Sequence, residues 1–252
     1  MSKRMKCTEY TVYAEIPKEL KIALCSDLHD NPCEEAIAML KKNKPDLIAM
    51  PGDIFERPNA PVQHALAFMR ACAQIAPSVY SLGNHDKAYD DMPEITEKIR
   101  KTGVVLLDDD DLFWNGIWIG GLTTGFRGQA HEGMFDKTPA PNMAWLDDVF
   151  CQRAGYKILL CHHPEYYPEY LRERKVQLVL SGHAHGGQWR FFGRGVLAPG
   201  QGLLPKYTSG VHEGRLVISR GMGDHTRIPR LFNPNEIVTI RLLPKKSAVR
   251  TI

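Results

Sequence analysis

The stretch LVLSGHAHGGQW, residues 178–189, decides how the rest of the chain is read. Leu178, Val179 and Leu180 form a short apolar run that ends in glycine, the pattern of a buried strand. His183 and His185 follow at once, one residue apart, among Gly182, Gly186 and Gly187. Two imidazoles on a glycine-rich loop can converge on one point, and imidazole is the commonest side-chain ligand for metals.

Other strands of this chain end in the same kind of residue. KIALCSDLHD carries Asp27 and His29, DLIAMPGD carries Asp53, and SVYSLGNHD carries Asn84, His85 and Asp86. YKILLCHHP carries His162 and His163. In an open α/β sheet the carboxyl ends of parallel strands share one edge, and ligands bind there. Residues far apart in sequence therefore meet in one crevice. Any one fragment has a bland explanation as a hydrogen-bonded loop residue. Five in order, each closing an apolar run, point to a metal site.

The runs between them set the fold class. CEEAIAMLKKNK, PVQHALAFMRACAQI and MPEITEKIRKTG have helical spacing; Asn31 is a candidate N-cap for the first, and Gly103 stops the third. The second half is richer in strands, with a hairpin LFWNGIWIGGLT turning at Asn115–Gly116 and later runs QWRFFG, RLVISRG and EIVTIRLL. The pattern is α/β: two packed mixed β-sheets flanked by helices, an αββα sandwich in one domain over residues 1–252. The acidic run Asp108–Asp111 reads as a solvated turn, and Trp114, Trp118, Trp145 and Trp189 as core or rim.

Composition excludes several classes. The 252 residues are 43% hydrophobic and 24% charged, an ordinary globular balance. A net charge of +3 with both signs interspersed offers no basic stripe for nucleic acid. No run of about 18 apolar residues occurs, so no transmembrane segment is expected. MSKRMKCTEYTVYAEIPKEL starts basic but lacks an apolar export core. None of the six cysteines forms a CxxC pair, and Cys25 and Cys161 sit in apolar runs, so a reducing, cytoplasmic location is expected.

Asp-x-His, Gly-Asp, Gly-Asn-His-Asp, His and Gly-His-x-His, in this order, resemble the motifs of the calcineurin-like metallophosphoesterase superfamily. GHAHGGQ, GLLPKY at 202–207 and SRGMG at 219–223 resemble its bacterial YkuE/YaeI-type phosphodiesterase branch. The resemblance implies a metallophosphoesterase fold and two divalent metal ions. Asp27, His29 and His185 would hold one ion, Asn84, His162 and His183 the other, and Asp53 would bridge them. Nitrogen–oxygen ligation suits Mn²⁺, Fe²⁺ or Zn²⁺. It further implies in-line attack of a metal-bridging hydroxide on phosphorus, with two metals about 3.5–4 Å apart clamping the attacking and leaving oxygens. His85 would assist the leaving group, Asp86 would hold its other ring nitrogen, and Asn84 and Arg57 would face the substrate. His163 is expected behind the ligands or simply exposed, and His131, in the 125–141 loop, exposed rather than overhanging the site. His212 and His225 have no motif context.

The protein phosphatase branch pairs an arginine after Gly-Asp with another just before Gly-Asn-His. Arg57 matches the first, and the second position is Leu82. A monoester dianion leans harder on such paired arginines, so the reading favours a phosphodiesterase acting on a small-molecule or lipid phosphoester. A nucleotide-sugar or lipid pyrophosphatase and a phosphomonoesterase are the alternatives. A non-catalytic scaffold would usually have lost a ligand, and no slot is empty here.

Overall fold

The computed structural model describes residues 5–57, 60–125, 136–224 and 228–245. The chain begins with β1 (Lys6–Ala14), β2 (Leu20–Leu24), α1 (Glu34–Asn43), β3 (Leu47–Pro51), α2 (Gln63–Ile75), β4 (Ser78–Ser81), α3 (Met92–Arg100) and β5 (Val105–Leu106). It continues with β6 (Asp110–Trp114), β7 (Ile117–Leu122), α4 (Met143–Asp148), β8 (Lys157–Cys161) and β9 (Leu178–Ser181). Short strands follow: β10 (Arg190–Phe191), β11 (Arg194–Gly195), β12 (Leu197–Ala198), β13 (Gly202–Leu203), β14 (Gly210–His212) and β15 (Leu216–Ile218). The long β16 (Glu236–Pro244) closes the fold.

Two six-stranded sheets result, in the orders β1-β16-β2-β3-β4-β5 and β14-β15-β9-β8-β7-β6. Both are mixed. β2, β3, β4 and β5 run parallel, while β16 is antiparallel to β2. In the second sheet β7, β8, β9 and β15 run parallel and β6 and β14 are antiparallel edges. One apolar cluster lies between the sheets, with Ile22, Leu24 and Ile240 from the first meeting Ile119, Leu160 and Leu180 from the second. A second covers the outer face of the first sheet under α1, α2 and α3, through Leu40, Phe68, Met69 and Ile99. A third, with Phe150, Tyr167 and Leu171, covers the outer face of the second. The αββα sandwich read from the sequence is therefore the architecture. Strands buried on both faces explain the continuous apolar runs, with no polar alternation, in β3 and β8.

Two local readings change. Asn31 does not cap α1, whose N-cap is Cys33 with no side-chain bond. Its amide instead donates to the carbonyls of Leu28 and His29 at 2.8 and 3.1 Å, which pins the loop after β2. Nor is Asp108–Asp111 a merely solvated turn. Asp108 and Asp109 accept from the Thr123 hydroxyl and amide at 2.5 and 2.9 Å, and Asp111 pairs with Arg153 at 3.2 Å.

Candidate metal centre

The carboxyl ends of β2, β3, β4, β8 and β9 bring the expected residues into one buried crevice. Asp27, His29, Asp53, His85, His162, His183 and His185 are all buried. Burial is unusual for so many titratable groups unless they are paired or bind a metal. Five of them, Asp27, His29, Asp53, His183 and His185, have φ between 44° and 63°. Left-handed backbone at a non-glycine residue costs free energy and clusters at functional sites. Here it turns each strand end back over the sheet edge. Two glycines are required by close approach. A Cβ on Gly83 would lie 2.2 Å from Asp53 Oδ1, and one on Gly182 would lie 2.3 Å from Asp27 Oδ2.

The ligand-bearing atoms fall into overlapping clusters. Asp27, His29 and His185 form one, and His162, His163 and His183 another, each with ligand atoms within 4.8 Å of one another. Asp53 joins His29 and His85 on one side and Asp27 and His162 on the other, so its carboxylate lies at the junction. His29 Nε2 and His185 Nε2 are 3.2 Å apart, and Asp27 Oδ1 lies 3.5 Å from His185 Nε2. His162 Nε2 is 3.1 Å from Asp53 Oδ2.

The donor set fits divalent cations. His163 Nε2, His183 Nε2 and Asn84 Oδ1 are buried without a hydrogen-bond partner, and His162 Nε2 has only the Asp53 carboxylate at 3.1 Å. Imidazole nitrogens and an amide oxygen stranded beside two carboxylates are the partners a cation would satisfy. The nitrogens facing away are held. His162 Nδ1 donates to the Pro51 carbonyl at 2.8 Å, and His163 Nδ1 lies 3.0 Å from Glu165 Oε1. Such outer partners orient ligand rings and select their tautomers.

Charge follows the same geometry. Burial pushes the Asp27 carboxyl up to about 6, against the opposing pull of His162. Burial also raises Asp53, but His162, His85 and His29 outweigh it and hold that carboxyl well below its usual range. Burial lowers His162, yet Asp53 and Asp27 draw it up to about 10. For His163 and His183 burial, helped by the neighbouring rings, outweighs the pull of Asp53 and holds both well below the ordinary histidine value, as neutral rings.

His85 stands beside the junction but is not held as expected. Its Nδ1 lies 2.7 Å from Glu56 Oε1, not against Asp86. Asp86 points the other way and accepts the backbone amides of Asp53, Gly83 and Phe55 at 2.8, 2.7 and 3.3 Å. The reason is local: His85 is in the right-handed helical region and opens a short turn over Asp86–Ala88, so the side chains of neighbouring residues diverge. Asp86 therefore clamps the loops after β3 and β4, and Glu56 is the ring's partner. Burial lowers His85, but Asp53 and Glu56 together raise it above the ordinary value. Arg57 Nε lies 3.5 Å from His85 Nε2, which brings the guanidinium to the same opening. Leu82 is fully buried.

Three further residues join the site: Glu56 and Arg230, which no motif marks, and His163, expected only behind it or exposed. Glu56 follows Asp53 by three positions in GDIFERP, close enough to reach back to the same crevice. His163 is fully buried with its ring centroid 3.9 Å from that of His183, closer to the cluster than expected. Arg230, from a distant loop, is buried and its Nη2 lies 2.9 Å from His185 Nδ1. His131 and His225 lie outside the described residues. His212 is away from the crevice, with Nε2 3.1 Å from the Ser209 carbonyl.

An α/β protein with buried His/Asp clusters at the facing edges of two sheets belongs to the metal-dependent hydrolases. The chain is a member of the calcineurin-like phosphoesterase family, whose model matches residues 20–187. It is 29% identical over 247 residues to an uncharacterized metallophosphoesterase of Campylobacter jejuni, covering 94% of this chain and 63% of that protein. It is 26% identical to one from Aquifex aeolicus, covering 96% and 93% of the two chains. It is 25% identical to the uncharacterized metallophosphoesterase YkuE of Bacillus subtilis, over 94% and 84%. The YkuE-type branch is thus the one it falls in, and the chain spans less than two thirds of the Campylobacter relative. No helix among the described residues is long and apolar enough to cross a membrane.

Proposed function

We propose that the protein is a dinuclear metal-dependent phosphodiesterase and that its catalytic residues lie in one domain. Asp27, His29 and His185 would hold one divalent ion, Asn84, His162 and His183 the second, and Asp53 both. When bound, such ions supply Lewis acidity and an activated water. The observation that carries the reading is the position of His85. It is buried next to Asp53, with Glu56 on Nδ1 and Arg57 by Nε2. With Glu56 and Asp53 favouring its protonated form, His85 would carry a proton at Nε2 to the leaving oxygen once Arg57 Nε, which donates to that nitrogen in the structure, turns to the phosphoryl group. Glu56 fixes the ring, and Arg57 orients the phosphoryl oxygens. Mn²⁺, Fe²⁺ or Zn²⁺ are the metals proposed. Free, mostly buried cysteines agree with a reducing, cytoplasmic location.

The diester preference rests on Leu82. By the family resemblance an arginine there would complete a monoester clamp, and this chain buries a leucine instead. The test is kcat/KM for an aryl diester against the matching aryl monoester on metal-reconstituted protein. The diester should be the better substrate. Faster monoester cleavage would return the assignment to a phosphomonoesterase.

A further inference from the structure

The turn that carries His185 leads along the chain into an apolar surface. After His185 the chain runs through a short turn to Trp189 and then into two hairpins, β10–β11 and β12–β13. Phe192 at the first tip is fully exposed. Leu203 and Leu204 beside the second are 65% and 79% exposed, and Phe232 on the neighbouring loop is 69% exposed. Phe191 and Phe232 touch, with ring centroids 5.9 Å apart, and Trp189 bridges to Leu231. The Leu204 amide donates to the Val196 carbonyl at 2.8 Å, which ties the second hairpin to the first. Phe191, Phe192 and Phe232 therefore line one hollow, and Leu204 lines the next, with Arg190 and Gly193 common to both.

Two observations set this face apart from a loosely packed loop region. Phe192, Leu204 and Phe232 have φ of 49°, 50° and 53°. Glycine or asparagine would adopt that conformation at less cost, so folding alone does not call for bulky apolar residues at three tips. The first hairpin is also braced from beneath. Buried Arg190 donates to the carbonyls of Gly186 and Gly193 and to the Thr208 hydroxyl, pinning the tip to the turn that carries His185.

The charge of the surface indicates its partner. From Gly186 to His212 the sequence contains Arg190, Arg194 and Lys206 and no acidic residue. Arg194 and Lys206 are exposed, and both line the same hollow as Leu204. Protruding aromatic and leucine tips beside exposed cations suit an anionic lipid layer, where the apolar groups enter the headgroup boundary and the bases meet lipid phosphates. A protein partner would need a matching set of pockets.

We propose that the 189–204 hairpins and the 228–232 loop dock the protein on anionic membrane surfaces, with the metal-site turn held next to the lipid. Docking does not depend on which phosphoester is cleaved. The test is co-sedimentation of the full chain with vesicles of phosphatidylcholine mixed with phosphatidylglycerol, and with vesicles of phosphatidylcholine alone. Binding is expected to the anionic vesicles, weaker binding to the neutral ones, and a decline with added salt. Phe192→Asn and Phe232→Asn, which the backbone tolerates, should each weaken binding about tenfold, the loss expected for one buried phenylalanine. Their thermal midpoints and metal content should match the parent. Arg194→Ala with Lys206→Ala should remove the preference for anionic vesicles. The proposal is overturned if the parent stays in the supernatant with both vesicle types, or if the phenylalanine variants bind as the parent does. A concentration-dependent dimer lost in those variants, without vesicle binding, would assign the face to a second copy of the chain and equally overturn it.

Discussion

The two halves of the metal crevice are built differently. The Asp27–His29–His185 half joins a carboxylate to two imidazoles, and side chains from distant segments brace it: Glu56 lies 3.5 Å from His29 Nδ1 and Arg230 lies 2.9 Å from His185 Nδ1. The His162–His163–His183 half is nitrogen-rich, and its braces are a main-chain carbonyl at Pro51 and Glu165, two residues from His163. Burial leaves His163 and His183 as neutral rings, whereas Asp53 draws His162 into an ion pair. The lesson is that two adjacent clusters assembled by one set of strand ends differ in the charge of their rings and in what orients them.

The largest effect should come from the residue the halves share. Asp53→Asn is expected to lower metal content at both and to abolish nearly all hydrolysis. His183→Ala and His185→Ala should instead each empty one half, and not the same one. Elemental analysis of the three proteins checks this; two metals and parental turnover in Asp53→Asn would dissolve the comparison.

Next comes His85, which belongs to neither half. His85→Ala should retain metal and lose about 10²–10⁴-fold in kcat, the range for a positioned acid or base. The loss should be greater for alkyl esters than for nitrophenyl esters, whose leaving group needs no proton. Equal losses would make His85 a stabiliser of phosphoryl charge and not a proton donor.

Glu56 sharpens that result at smaller scale. Glu56→Gln should cost about 10–100-fold, the usual effect of removing a partner that orients a site residue. Its loss should fall on kcat and, because Glu56 raises His85, move the alkaline limb of the pH profile, where the proton donor deprotonates, to lower pH; a merely structural role would leave that limb in place.

The smallest effect is a proton count. In the metal-free protein burial disfavours the charged His162 ring, but Asp53 and Asp27 raise it from 6.5 to about 10. A metal ligand must be neutral, so metal binding at neutral pH should expel this proton. Indicator-dye titration should record the release, and it should fade as pH rises through about 10. The sign for folding follows from the raised value. Without metal, the stabilisation from protonated His162 is complete below about 6.5 and lost as pH approaches about 10. Release independent of pH over this window would contradict the His162–Asp53 pairing.

Much of the fold and of the crevice was legible because strand ends carry a local code. Apolar runs such as LIAMP and KILLC announce strands buried on both faces, and the Asp, Asn and His residues that follow can share one edge only if those strands lie side by side. That reasoning identified Asp27, His29, Asp53, Asn84, His85, His162, His183 and His185 as neighbours with no contact known. It failed where adjacency in sequence was taken for adjacency in space. Asp86 follows His85 but turns under the backbone amides, and Asn31 left the helix to hold the loop after β2.

The sequence by itself therefore determined the two-sheet architecture and the set of residues gathered at its edge, since both follow from periodicity and from what closes each apolar run. Only the tertiary structure decided which groups orient them. Glu56 on His85, Arg230 on His185 and the Pro51 carbonyl on His162 are contacts between loops, and loop packing has no period to read. The apolar hairpin face has the same origin. Phe191, Phe192, Leu204 and Phe232 look like ordinary core residues in the sequence; left-handed turns and the bracing by Arg190 turn them outward.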